Sequence, residues 1–151
     1  MGRIITSVTV GNFSEPEHEL RFDALIDTGA YCLTLPRAWR DRLGALAVSR
    51  SVELVTADRR VLSGEICGPV AIRIEGFDMI AGEVLFVEMD LEGGRYEPLV
   101  GYVTLEQSGI AVDVVHHRLL RVPHLDLKSV GPAARGSCRL RGSPGRMALD
   151  A

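Results

Sequence analysis

The run Ala24-Leu25-Ile26-Asp27-Thr28-Gly29-Ala30 sets one carboxylate, one hydroxyl and a glycine directly after three apolar residues. A short buried strand accounts for the apolar residues, and Thr28-Gly29 accounts for a sharp turn straight after it. Asp27 then stands at a strand end beside backbone N–H groups. An acid there is costly unless it is paired, protonated or solvated. Two readings follow. The carboxylate shares a proton with a second carboxylate and does general acid–base chemistry, or it is a solvated acid in a Thr-Gly turn.

The paired-acid reading has a structural requirement. No second Asp-Thr-Gly or Asp-Ser-Gly occurs in the 151 residues, so the partner carboxylate comes from another copy of the chain. A two-fold dimer places the same residue of both subunits at the axis, where Asp27 meets its own mate. Other chemistry-bearing residues are poorly arranged. His116 and His117 are adjacent, so in an extended segment they point to opposite faces, and they read as turn residues. Asp113 lies in a strand with no small turn after it and reads as structural. Cys32, Cys67 and Cys138 are too few and too scattered for a disulfide framework or a zinc site, and fit a reducing, cytoplasmic setting.

A second run, Pro98-Leu99-Val100-Gly101, precedes a helix-like stretch from Tyr102 to Ser108. Together with the apolar lead-in to Asp27-Thr28-Gly29-Ala30 and the following Leu33-Thr34-Leu35-Pro36, it resembles the two signatures of the retropepsin-like aspartic proteases. The resemblance covers roughly residues 3 to 122. It implies a small closed or partly closed β-barrel with one or two short helices. It also implies a homodimeric aspartic endopeptidase acting on peptides or proteins through a water activated by two Asp27 carboxylates, with no cofactor and no metal. Asp27, Thr28 and Gly29 take the catalytic positions, Ala30 and a flap tip of Thr56, Ala57, Asp58 and Arg59 the substrate-binding ones, and Leu99, Val100 and Gly101 the structural second signature. In the retroviral members an acidic residue commonly follows the first signature, and the helix of the second often begins with Arg and Asn or Asp. This chain has Tyr31-Cys32 and Tyr102-Val103 at those places. A different class of function on the same barrel is a non-catalytic module that binds or assembles extended peptides.

The elements that must position these residues are legible as alternation and turn signals. Ile4, Ile5, Val8 and Val10 mark a first strand, Gly11 to Glu19 a hairpin loop, and Arg21 to Ile26 the strand into Asp27. Pro36 to Leu43, with Gly44 just past its end, predicts a short helix. Trp39 and Leu43 would share one face, with Trp39 as a packing residue. Val52-Glu53-Leu54 and Val61-Leu62 flank the polar tip at 57–60, a hairpin with an exposed turn. Gly64, Gly68 and Pro69 are expected to break the pattern before Val70 to Glu75, which alternates as a half-buried strand. Glu83 to Glu88, Ile110 to Val114 and Arg118 to Val122 read as further strands.

Composition bounds the rest. With 46% apolar and 25% charged residues, the chain has the usage of one globular domain, here residues 1–123. Residues 124–151 carry turn-formers and, from Lys128 on, five Lys/Arg against one Asp, a basic, flexible tail by composition. A net charge of −3 gives no case for nucleic acid as a partner. No apolar run approaches the ~20 residues of a membrane span.

Overall fold

The computed structural model describes residues 2–123; the tail expected at 124–151, with Cys138, lies outside the described residues. The first strand, β1 (Ile5–Asn12), places Val8, Val10 and Asn12 on its buried face in strict alternation. It turns back into β2 (Glu19–Ile26), pairing antiparallel from Ile5 opposite Leu25 to Gly11 opposite Glu19. The connecting loop is organised by Asn12, whose side-chain amide donates to the carbonyls of Leu43 and Ala45, both at 2.7 Å. Its Oδ1 accepts from the backbone N–H of Ser14 and Glu15. A buried amide with all these partners is a fixed post rather than a cost.

After the Asp27 turn the chain enters β3 (Leu33–Pro36), every residue of which is buried. The helix expected from Pro36 is a 3₁₀ helix over Arg37–Leu43, with Pro36 extended at its N-terminal cap. Leu43 is buried, while Trp39 packs edge-on against Tyr96 and tilted against Phe22, with ring centroids 6.0 and 5.3 Å apart. Trp39 is therefore held by packing, as its spacing predicts.

The expected hairpin is formed by β4 (Val48–Val55) and β5 (Val61–Ile74), in register from Val48 opposite Gly68 to Val55 opposite Val61. Here the structure corrects the reading of Gly64, Gly68 and Pro69 as breakers. β5 runs through all three as one 14-residue strand. A register shift between Cys67 and Val70, where β5 pairs with β6 (Ile80–Val87), takes up the proline, which has no N–H to give the ladder. The short β7 (Leu99–Val100) leads into α1 (Tyr102–Gln107). Gly109, at φ 68°, releases the chain from that helix into the hairpin β8 (Ile110–Asp113) and β9 (Arg118–Arg121).

The main sheet runs β1-β2-β7-β3-β6-β5-β4, and β5 also pairs with β1 from Val8 opposite Ile74 to Asn12 opposite Val70. That last pairing closes six strands into a ring and leaves β4 outside it. The β2–β7 and β3–β6 pairs are parallel and the others antiparallel. The ring encloses Val8, Val10, Leu33, Leu35, Ile72, Ile74, Val84 and Phe86. The molecule is thus mainly β, a partly closed barrel with two short helices. No helix among the described residues is long and apolar enough to cross a membrane.

Candidate active site

The Asp27 turn is built from the end of β2. Ala24 is buried in the core, and Leu25 and Ile26 pair in parallel with Leu99 and Val100. The ladder continues one bond further, because the backbone N–H of Asp27 donates to the Val100 carbonyl at 3.0 Å. The chain then reverses. Ala30 N–H donates to the Asp27 carbonyl at 3.0 Å, and Gly29 N–H donates to Asp27 Oδ1 at 2.9 Å. This is an Asx-type turn, in which a carboxylate caps its own loop. It fixes the side chain in a half-buried position while Thr28 and Gly29 are exposed. A Cβ on Gly29 would stand 3.2 Å from Asp27 Oδ1, so a small residue keeps that oxygen clear. No ion pair of Asp27 occurs among the described residues.

The second signature holds this turn from behind. N–H groups of three successive residues, Gly101, Tyr102 and Val103, donate to the carbonyls of Cys32, Ala30 and Tyr31 at 3.2, 2.9 and 2.9 Å. Gly101 is required by contact. A Cβ there would lie 2.5 Å from both the Ala30 oxygen and the Cys32 nitrogen, which are backbone atoms that cannot swing away. One helical turn on, the buried Thr104 accepts from Leu33 N–H at 2.8 Å through its hydroxyl oxygen. The Thr34 hydroxyl in turn donates to the Cys32 carbonyl at 2.9 Å. The structure therefore brings Asp27, Thr28, Gly29 and Ala30 together with Leu99, Val100 and Gly101, residues about 70 positions apart.

The tip of the β4–β5 hairpin is a separate unit. Thr56 N–H donates to the Arg60 carbonyl at 2.9 Å and Arg59 N–H to the Thr56 carbonyl at 2.8 Å. Asp58 bonds the Thr56 hydroxyl and pairs with Arg60 Nε at 2.6 Å. These bonds hold the Asp58 carboxyl below its usual range, the Thr56 hydroxyl contributing most. Arg59 takes a left-handed backbone, φ 64°. Among the described residues, the hydrogen bonds of the tip residues Thr56, Ala57, Asp58 and Arg59 stay within this turn, and none joins them to the Asp27 turn.

Sequence reasoning passed over Thr104, and it noted Tyr31 and Tyr102 without pairing them. Thr104 is one polar residue in a helix whose other buried member is Leu105, and only that polar intrusion signals it. Tyr31 and Tyr102 stack edge-on at 5.9 Å. Beside them burial pushes the Cys32 thiol up to about 11, with the charge of Glu83 adding to it, so the thiol is neutral and unreactive. The expected histidine turn is present. Asp113 accepts from the backbone of Val115 and His116 and from the His116 ring, and His117 has φ 53°. Asp113 thus has the structural role its position suggests. Among the described residues no group of three His, Cys, Asp or Glu side chains converges as a metal site would.

No protein-family model and no curated protein matches the chain. Solved structures do. The EIAV protease complexed with the inhibitor HBY-793 aligns with 75% of this chain and 94% of its own, at a TM-score of 0.55 and 18% identity. At that identity the likeness is one of architecture, and the fold of this chain is retropepsin-like.

Proposed function

We propose that the chain is an aspartic endopeptidase that works as a homodimer, with one Asp27 from each subunit at a shared site. The observation that carries this reading is the Asp27 turn itself. Its carboxylate is held by Gly29 N–H at the end of a barrel strand, on a loop pinned by the second signature, and forms no ion pair among the described residues. Two such groups facing each other across a two-fold axis cannot both ionise comfortably, and the pair shares one proton. The ionised member takes a proton from a water between them, and the protonated member polarises the peptide carbonyl. The roles reverse as the amine leaves. Thr28 and Gly29, exposed beside the carboxylate, keep the turn narrow enough for close approach. The β4–β5 hairpin would close over an extended substrate as a flap, excluding water and offering backbone bonds, with Thr56, Ala57, Asp58 and Arg59 at its tip.

The test is cleavage of a peptide library at acidic and near-neutral pH by the wild type and by Asp27→Asn, with the oligomeric state of both measured in the same buffers. Cleavage by a wild-type dimer that disappears in a still-dimeric Asp27→Asn supports the reading. A dimer that cleaves nothing turns it toward a peptide-binding module, and a strict monomer overturns the shared site.

A further inference from the structure

The Asp27 turn is joined to α1 by backbone bonds across Gly101, and beside them lie two aromatic side chains, Tyr31 and Tyr102. Tyr31 lies one residue past Ala30, and Tyr102 opens α1. Their rings meet edge-on at 5.9 Å and an interplanar angle of 82°, which is the favoured arrangement of an aromatic pair. Each ring is only partly covered, with relative exposures of 42% and 43%. They are the same two residues whose backbones are stitched together around Gly101, where Tyr102 N–H reaches Ala30 and the Tyr31 carbonyl receives Val103 N–H. The rings therefore span the same junction as these bonds, one ring on the catalytic loop and one on the helix.

The geometry points to Tyr31 and Tyr102 as positioning residues, an aromatic clamp that fixes the Asp27 turn against α1. Among the described residues neither tyrosine side chain hydrogen-bonds the Asp27 carboxylate. The clamp acts through the loop, because the backbone of Ala30 and Tyr31 is the return limb of the turn that Asp27 caps. A clamp made of two neutral rings has a physical consequence. Unlike an ion pair, an edge-on contact of two rings is indifferent to ionic strength.

The consequence for catalysis rests on the endopeptidase reading above, whereas the clamp itself can be measured without it. The experiment is amide hydrogen exchange on the full chain at Gly29, Ala30, Gly101, Tyr102 and Val103, with Val8 and Ile72 in the barrel as internal controls. Variants are Tyr31→Ala, Tyr102→Ala, their double, and Tyr102→Phe. An aromatic pair of ordinary strength predicts exchange about three- to tenfold faster at the five amides in each alanine variant, with the barrel amides unchanged. The double variant exchanges no faster than either single one, since each removes the same contact. Tyr102→Phe keeps the ring and exchanges as the wild type does. Raising salt leaves the wild-type ratio of loop to barrel protection unchanged. With a cleavable peptide in hand, the alanine variants lower kcat with little change in KM, and Tyr102→Phe restores it.

Unchanged loop exchange in Tyr102→Ala overturns the clamp, and so does a double variant whose effect is the product of the singles. An alanine variant whose barrel amides also lose protection shows the pair to be a general stability element, and overturns it too. Should the wild type cleave nothing, the exchange results still decide the clamp. Should exchange fail to change while Asp27-dependent cleavage is found, the clamp falls and the endopeptidase stands.

Discussion

Gly101 has less freedom than any other residue around the Asp27 turn. Adding one methyl group forces the Ala30–Cys32 backbone off the helix, because both atoms it meets at 2.5 Å are main-chain. Gly101→Ala is expected to lower the unfolding free energy by about 1–3 kcal/mol, read from urea denaturation, as overpacking at a closed site does. Cys32 makes a pH-dependent contribution. Its thiol, ordinarily at 9.0, titrates at about 11 in the folded state, so the folded chain holds a proton that the unfolded chain gives up. That stabilisation is complete below pH 9 and is lost as pH rises through the interval to 11. Wild-type stability should fall by roughly 2 kcal/mol more than that of Cys32→Ala over this range, measured by parallel denaturant titrations. A wild type and variant that decline in parallel refute it. The sequence shows Asp27, Thr28, Gly29 and Gly101 because each belongs to a local pattern of strand end, turn and small residue. It hides Thr104 and the tyrosine pair, because a bond between Leu33 and a hydroxyl 71 residues away leaves no trace in periodicity.

At the scale of elements, the β4–β5 hairpin carries its own order. Its tip is closed by Thr56, Asp58 and Arg60 among themselves, all at the surface. Asp58→Ala should therefore quicken proteolytic nicking within 56–60 while leaving the thermal unfolding midpoint where it was, since exposed pairs add little to global stability. Equal nicking rates would show that the backbone turn needs no help from Asp58. Alternating burial made the strands visible in advance, as in Val70, Ile72 and Ile74. The same reasoning stopped β5 too early. Glycine and proline signal interruption in a chain read locally, whereas here a neighbouring strand on each side and one bulge carry the ladder past them. The short helix after Pro36 was visible from its caps, but capping residues do not encode its 3₁₀ winding.

For the whole molecule, the decisive expectation concerns stoichiometry. If the two acids come from two subunits, mixing wild type with an equal amount of Asp27→Asn and allowing exchange leaves only about a quarter of dimers with both carboxylates. Cleavage per wild-type chain should fall by about half, and excess variant should abolish it. Activity that simply tracks the amount of wild type would place a complete site in each chain. The barrel itself was legible as a class, from strand spacing and turn signals. Its closure by β1 against β5 was not, since that pairing joins segments some 60 residues apart with no signature at either.

The distance between the two signatures also orders events during synthesis. Asp27 and its turn leave the ribosome before the groups that pin them, Val100, Gly101, Tyr102, Val103 and Thr104, which are translated some 70 residues later. A nascent chain that ends before β7 has its acid and the bonds within the Asp27 turn, but lacks every bond from the second signature. The carboxylate is thus made first and braced later, and on the endopeptidase reading the growing polypeptide carries no assembled site past its still-unfolded neighbours.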